Sequence, residues 1–166
     1  MKWREVVNLR PNGDHGKEES MSAFFSGKYN HTLDAKGRVI VPAKFKKNLG
    51  DSFMLSLGMD GCLYLFTNER WEEFMEELSN LPASSADVRK MIRVFTANSA
   101  ELEIDKQGRI LIPPELRKKA GLKKEVVFIG VTHKIEVWDK DRYEAAESSD
   151  SIDEIVEGLN TYGIKF

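Results

Sequence analysis

Cysteine is almost absent from this chain of 166 residues. Cys62 stands alone, which excludes an intrachain disulfide framework and fits a reducing cytosol. Histidine is scarce as well. His15, His31 and His133 sit in dissimilar contexts and keep no metal-ligand spacing with Cys62, so no metal site is expected. No apolar run approaches the roughly 20 residues of a membrane span. The opening segment, MKWREVVNLRPNGDHGKEES, lacks the apolar stretch of a secretory signal. The nucleophile-elbow, Walker and dinucleotide-binding fingerprints are also missing. What remains offers no catalytic residue and no cofactor or small-molecule substrate site, so the expectation is a protein that is not an enzyme.

What is there is said twice. Residues 33–50 read LDAKGRVIVPAKFKKNLG and residues 104–121 read IDKQGRILIPPELRKKAG. Asp34, Gly37, Arg38, Pro42, Lys47 and Gly50 recur, 71 positions on, as Asp105, Gly108, Arg109, Pro113, Lys118 and Gly121. With one inserted residue the parallel continues: Gly58 meets Gly130, Phe66 meets Trp138, and Arg70-Trp71 meets Arg142-Tyr143. Such self-similarity implies two copies of one small unit about a pseudo-two-fold axis. Each copy alone would bury too little surface to be stable, so a shared core is expected.

Local patterns place the copies. Residues 1–20 are polar and without periodicity, and read as a disordered N-terminal extension; Met21, just before the first patterned segment, reads as the natural start. The first repeat with its linking helices spans 21–95, the second with a C-terminal helix 96–166. In each, a strand runs into a tight turn, Asp34–Gly37 or Asp105–Gly108, and a return strand completes a hairpin. A short helix behind Pro42 ends at Gly50, and two more strands follow. Thr67, Ser84 or Ser85, and Asp139 suit helix N-caps. Trp71/Phe74/Met75/Leu78 and Val88/Met91/Ile92/Phe95 keep the spacing of apolar helix faces, as do Ile152/Ile155/Val156/Leu159. Strand units followed by helices, twice over, make the fold class α+β.

Charge separates the repeated motif from the rest. Net charge is −2, which speaks weakly against a nucleic-acid partner. Yet residues 28–48 and 104–124 each carry a balance of +5, while 69–77 carries −4. A basic balance on both copies favours an anionic partner. Two readings of the motif stay open. In one, Asp34 and Asp105 close the turns and Arg38 and Arg109 lie back on them. In the other, the turns present the arginines, flanked by Lys36, Lys106 and Gln107, to phosphates or guanine edges. His31 has no counterpart in the second copy and reads as a strand residue. A non-DNA oligomeric scaffold would explain the helices but not two basic turns.

The run FFSGKYNHTLDAKGRVIVPAKFK closely resembles the start of the MraZ proteins, bacterial transcription regulators of the AbrB-like, swapped-hairpin superfamily. The likeness extends over about residues 24 to 145 and includes both D-x-x-x-R motifs. It implies interleaved hairpins forming a small AbrB-like barrel with flanking helices. It further implies a cytoplasmic, nucleoid-associated protein without cofactor or membrane contact. Such proteins assemble into homo-oligomeric rings and bind direct repeats in double-stranded DNA upstream of the cell-division and cell-wall gene cluster, usually repressing it. Carried over by position, the DNA-contacting motif lands on Arg38 and Arg109, with Asp34 and Asp105 as partners.

Overall fold

The computed structural model describes residues 23–147 and 151–165. The N-terminal extension and the start at Met21 lie outside them. The first repeat supplies β1 (Phe25–Thr32), β2 (Arg38–Ile40), α1 (Ala43–Leu49), β3 (Ser52–Leu57) and β4 (Leu63–Thr67). Two helices follow, α2 (Asn68–Ser79) and α3 (Ala86–Ala97). The second repeat supplies β5 (Ser99–Glu103), β6 (Arg109–Leu111), α4 (Pro114–Lys119), β7 (Glu125–Thr132) and β8 (Lys134–Asp139). Helices α5 (Lys140–Glu147) and α6 (Ile152–Thr161) close the chain.

The helix ends follow from their residues. Thr67, Ser85 and Ser151 each accept a backbone N–H from the first turn of α2, α3 and α6. Asp139 does the same for α5 through Arg142 N–H. Gly50, at φ 87°, ends α1 in a conformation that favours glycine.

Six strands form one sheet in the order β1-β7-β8-β4-β3-β5, and β2 pairs with β6 in a separate two-stranded ribbon. Exchanging each strand for its repeat partner turns the order of the large sheet into itself. The pseudo-two-fold axis therefore passes between β4 and β8, and also between β2 and β6. Two expectations change here. Among the described residues no closed barrel forms, because the large sheet ends at β1 on one side and β5 on the other. Nor do β1 and β2 pair as a hairpin ladder. β1 runs antiparallel to β7, from Phe25↔Thr132 to Thr32↔Glu125, and β2 pairs only with β6. The turn at Gly37 sends the chain off the sheet, onto the ribbon that covers it.

Strand alternation explains the layers. Leu63 and Leu65 of β4 face one side, with Val126 and Phe128 of β7 and Ile135 and Val137 of β8. Tyr64, Phe66, Val127 and Trp138 face the other, toward Trp71 and Tyr143. The first side is the main core. It takes in Val39, Val41 and Phe45 from the first repeat and Ile110, Ile112 and Leu116 from the second, all buried. Neither repeat closes this core by itself, in line with the shared core expected of such small units. On the other side, Phe74 of α2 bridges Phe66 of β4 and Phe95 of α3, at ring-centroid distances of 5.8 and 5.1 Å. Leu78 of α2 is buried, the remaining stripe residues of α2 and α3 are half-buried, and Ile152 and Ile155 of α6 are exposed. No helix among the described residues is long and apolar enough to cross a membrane.

Candidate nucleic-acid interface

The two D-x-x-x-R turns are built alike, bond for bond. Asp34 N–H donates to the Arg38 carbonyl at 2.8 Å and Gly37 N–H to the Asp34 carbonyl at 3.0 Å; Asp105, Gly108 and Arg109 repeat both bonds at the same lengths. The Asp34 carboxylate then does three things. Its Oδ1 accepts from the backbone N–H of Lys36 and of Arg38, each at 2.9 Å, and its Oδ2 accepts from Arg38 Nε at 2.8 Å. Asp105 accepts in the same way from Gln107 N–H, Arg109 N–H and Arg109 Nε, at 2.9 Å each. Stabilisation of the anion by the Arg38 backbone N–H, ahead of the guanidinium and the Lys36 N–H, holds the Asp34 carboxyl down to about 2. The Asp105 carboxyl is lowered for the same reasons, the Arg109 backbone N–H first.

This is the geometry of the first reading, in which the aspartates close the turns and the arginines lie back on them. The carboxylate closes the turn, and it also fixes the arginine. The pair uses Nε, and neither Nη nitrogen of Arg38 or Arg109 is part of it. A pre-oriented guanidinium loses less rotamer freedom when it meets a phosphate or a guanine edge.

The ribbon then brings the two turns together. Arg38 stands opposite Leu111 and Ile40 opposite Arg109. Diagonal neighbours in such a ladder lie about 7–8 Å apart, so the two arginines share one outer face. Val39 and Ile110 point inward between them and are buried. Ile40 and Leu111, 51% and 53% exposed, complete that face. Lys36, Lys106 and Gln107 are exposed on the turns at its two ends. Arg38, Ile40, Arg109 and Leu111 therefore share one face of the ribbon, and the turns carrying Asp34, Lys36, Asp105, Lys106 and Gln107 close its two ends.

Four residues of this neighbourhood were not singled out from sequence. Ile40 and Leu111 were read only as strand aliphatics, although alternation from Arg38 and Arg109 puts them on the arginine face. Lys46 and Arg117 come from the short helix of the opposite repeat. The Arg117 guanidinium lies over Gly37, where an added Cβ would sit 2.3 Å from its Cζ, and Lys46 Nζ stands 3.9 Å from the equivalent point at Gly108. No local pattern marks such cross-repeat contacts. His31, in β1, packs edge-on against Phe128 of β7, and partial burial lowers its pKa. Cys62 is buried and donates to the Met59 carbonyl, and burial pushes its thiol up to about 12, so it is inert as a nucleophile. No group of three His, Cys, Asp or Glu among the described residues could hold a metal ion.

Comparison with known proteins agrees with this organisation. The family model for MraZ protein matches residues 24–94 and again 95–157. The chain belongs to the MraZ family. It is 50% identical over 143 residues to the transcriptional regulator MraZ of Lachnoclostridium phytofermentans, covering 86% of this chain and the whole of that one. It is 46% identical to the regulator of the same name from Acetivibrio thermocellus, over 85% of this chain and all of the relative. The counterpart from Ligilactobacillus salivarius is 48% identical over 82% of this chain and 96% of its own length. The family model therefore covers both repeats, and the relatives are named as regulators of transcription.

Proposed function

We infer that this MraZ protein is a sequence-specific DNA-binding transcriptional regulator, cytoplasmic and nucleoid-associated, that represses the cell-division and cell-wall gene cluster. The observation that carries the reading is the single outward face bearing Arg38 and Arg109, each oriented by its aspartate and flanked by Lys36, Lys106 and Gln107. A two-stranded ribbon is narrow enough for a major groove, where arginine meets guanine O6 and N7. Ile40 and Leu111 between the arginines suit thymine methyl groups. The exchange of β2 and β6 between repeats 21–95 and 96–166 is, in this reading, the swapped-hairpin arrangement. The half-buried faces of α2 and α3 and the exposed strip on α6 support assembly into a homo-oligomeric ring, which multiplies weak contacts along direct repeats. An electrophoretic shift with the DNA upstream of the protein's own gene tests the reading. Binding that weakens steeply with salt is expected; no shift, or one indifferent to Arg38→Ala with Arg109→Ala, leaves an oligomeric scaffold instead.

A further inference from the structure

We propose that the two turns of one chain are unequal base readers, Lys36 taking guanine and Gln107 adenine, so that the ribbon reads its site in one direction. The inference rests on the DNA-binding reading above.

Lys36 and Gln107 occupy the same position in two matching frames. Each donates its backbone N–H to an aspartate Oδ1 at 2.9 Å, each precedes a glycine with positive φ, and each is exposed. The side chains therefore leave the two turns along equivalent directions. Their chemistry differs. A lysine ammonium has donors only, which suits the two acceptors O6 and N7 of guanine. A glutamine amide has a donor and an acceptor, which suits N7 and N6 of adenine.

The surroundings differ in the same sense. Next to the first turn, Leu33 N–H donates to the Lys124 carbonyl at 2.7 Å, and Lys123 and Lys124 line a shallow cleft with Asp34 and Ala35. Next to the second, Ile104 N–H donates to the Asp51 carbonyl at 3.1 Å. A pair of lysines on one side thus faces an aspartate and Ser52 on the other. Gly37 is covered by a guanidinium tied through Nε to the Ile112 carbonyl at 2.9 Å, whereas only the end of Lys46 approaches Gly108. The two turns carry equal formal charge, since Lys106 stands where the first has Ala35. The surroundings of the first add Arg117, Lys123 and Lys124, while those of the second add Lys46 and Asp51, and the Arg117 contact holds the first turn in place. Guanine, with two acceptors on its major-groove edge, is the base such a turn favours.

The consequence is polarity. Asp34/Asp105 and Arg38/Arg109 are related by the pseudo-two-fold axis, so by themselves they would accept a site in either orientation. Position 36 against 107 removes that degeneracy.

The test is selection from a randomised duplex by the full-length wild type, Lys36→Gln, Gln107→Lys and the double exchange, each checked by thermal melting. The wild type should enrich an asymmetric motif with a guanine at one flank and an adenine at the other. Lys36→Gln should convert that guanine to adenine, Gln107→Lys the adenine to guanine, each changing preference at one position by roughly tenfold or more, the scale of one bidentate base contact. The double exchange should invert the motif. Variants that fold and enrich the wild-type motif unchanged overturn the proposal while leaving DNA binding intact. A wild type that enriches no motif removes the DNA reading itself, and the proposal with it.

Discussion

Arg117, on the short helix of the second repeat, covers Gly37, in the turn of the first, so closely that any Cβ there would meet its guanidinium at 2.3 Å. The same guanidinium donates through Nε to the Ile112 carbonyl, and Ile112 N–H donates to the Gly37 carbonyl at 3.0 Å. Turn, ribbon and helix are thereby tied together across the repeats. Gly37 and Gly108 share positive φ, 83° and 77°, so alanine at either costs about 1–2 kcal/mol of backbone strain. Only at Gly37 must a bound side chain also be displaced. Gly37→Ala is therefore expected to lower stability more than Gly108→Ala, by about 1 kcal/mol for the lost hydrogen bond. Urea melts of the two variants check this; equal losses would mean that the Arg117 contact is energetically idle.

The placement of both arginines on one face carries a prediction about their coupling. Alanine at Arg38 or at Arg109 removes a group worth about 1–3 kcal/mol if it reads a base. Independent turns would make the two losses additive. Side chains about 7–8 Å apart on one ladder that contact neighbouring groups of one duplex should couple by about 0.5 kcal/mol or more. A titration of one DNA duplex with the wild type, both single variants and the double variant measures the departure. Strict additivity would return the picture of two separate tips.

How much of this was legible before any coordinates? The repeat was, because it is written in residue identities, and so were the turns and the helix caps at Thr67 and Asp139, with Ser84 or Ser85 left open for α3 and resolved to Ser85, because their bonds join residues two to four apart. The pairing of Arg38 with Leu111 was not. A strand of three residues, RVI, carries alternation but nothing that names its partner 71 positions away, and the nearer strand made a hairpin the simpler expectation. The barrel expectation failed for a related reason: closure depends on whether the edges β1 and β5 meet, which no local pattern records. Arg117 and Lys46 looked like ordinary solvated helix cations, since their targets lie in the other repeat.

The aspartates make a pH prediction with a definite sign. The Asp34 carboxyl, at about 2 in the folded chain, sits below the ordinary 3.8, and that of Asp105 is lowered too. A depressed folded value means that stability is present above the unfolded value and is lost as pH falls through the folded one. The wild type should therefore lose stability between about pH 4 and about pH 2 relative to a variant with Asp34→Asn and Asp105→Asn. Asparagine keeps an oxygen for the backbone N–H groups but carries no charge. The stability gap between the two proteins should be widest near neutral pH and shrink through that acid window. Melting curves across the range decide it, and a constant gap would show that the carboxylate charge contributes nothing.

A last prediction concerns the sheet edge beside the ribbon. Gly27 and Gly130 face one another in the β1–β7 ladder. A Cβ on Gly130 would meet Ser26 N at 2.4 Å and the Phe25 carbonyl carbon at 2.6 Å. These are backbone atoms, so no side chain can swing aside and relief requires β1 to lift. At Gly58, its repeat partner, the nearest atoms are ring carbons of Tyr64 at 2.7 and 2.8 Å, which can rotate away in part. Overpacking usually costs about 1–3 kcal/mol, and Gly130→Ala should lie at the upper end or beyond, with Gly58→Ala below it. β1 leads into the Asp34 turn, and Leu33 N–H is anchored to the Lys124 carbonyl. Lifting β1 should therefore disturb the first turn and spare the second. Amide hydrogen exchange of Gly130→Ala should show faster exchange across 26–37 with little change across 105–109. Equal loss of protection at both turns would mean that the ribbon, not the sheet edge, holds the first turn in place.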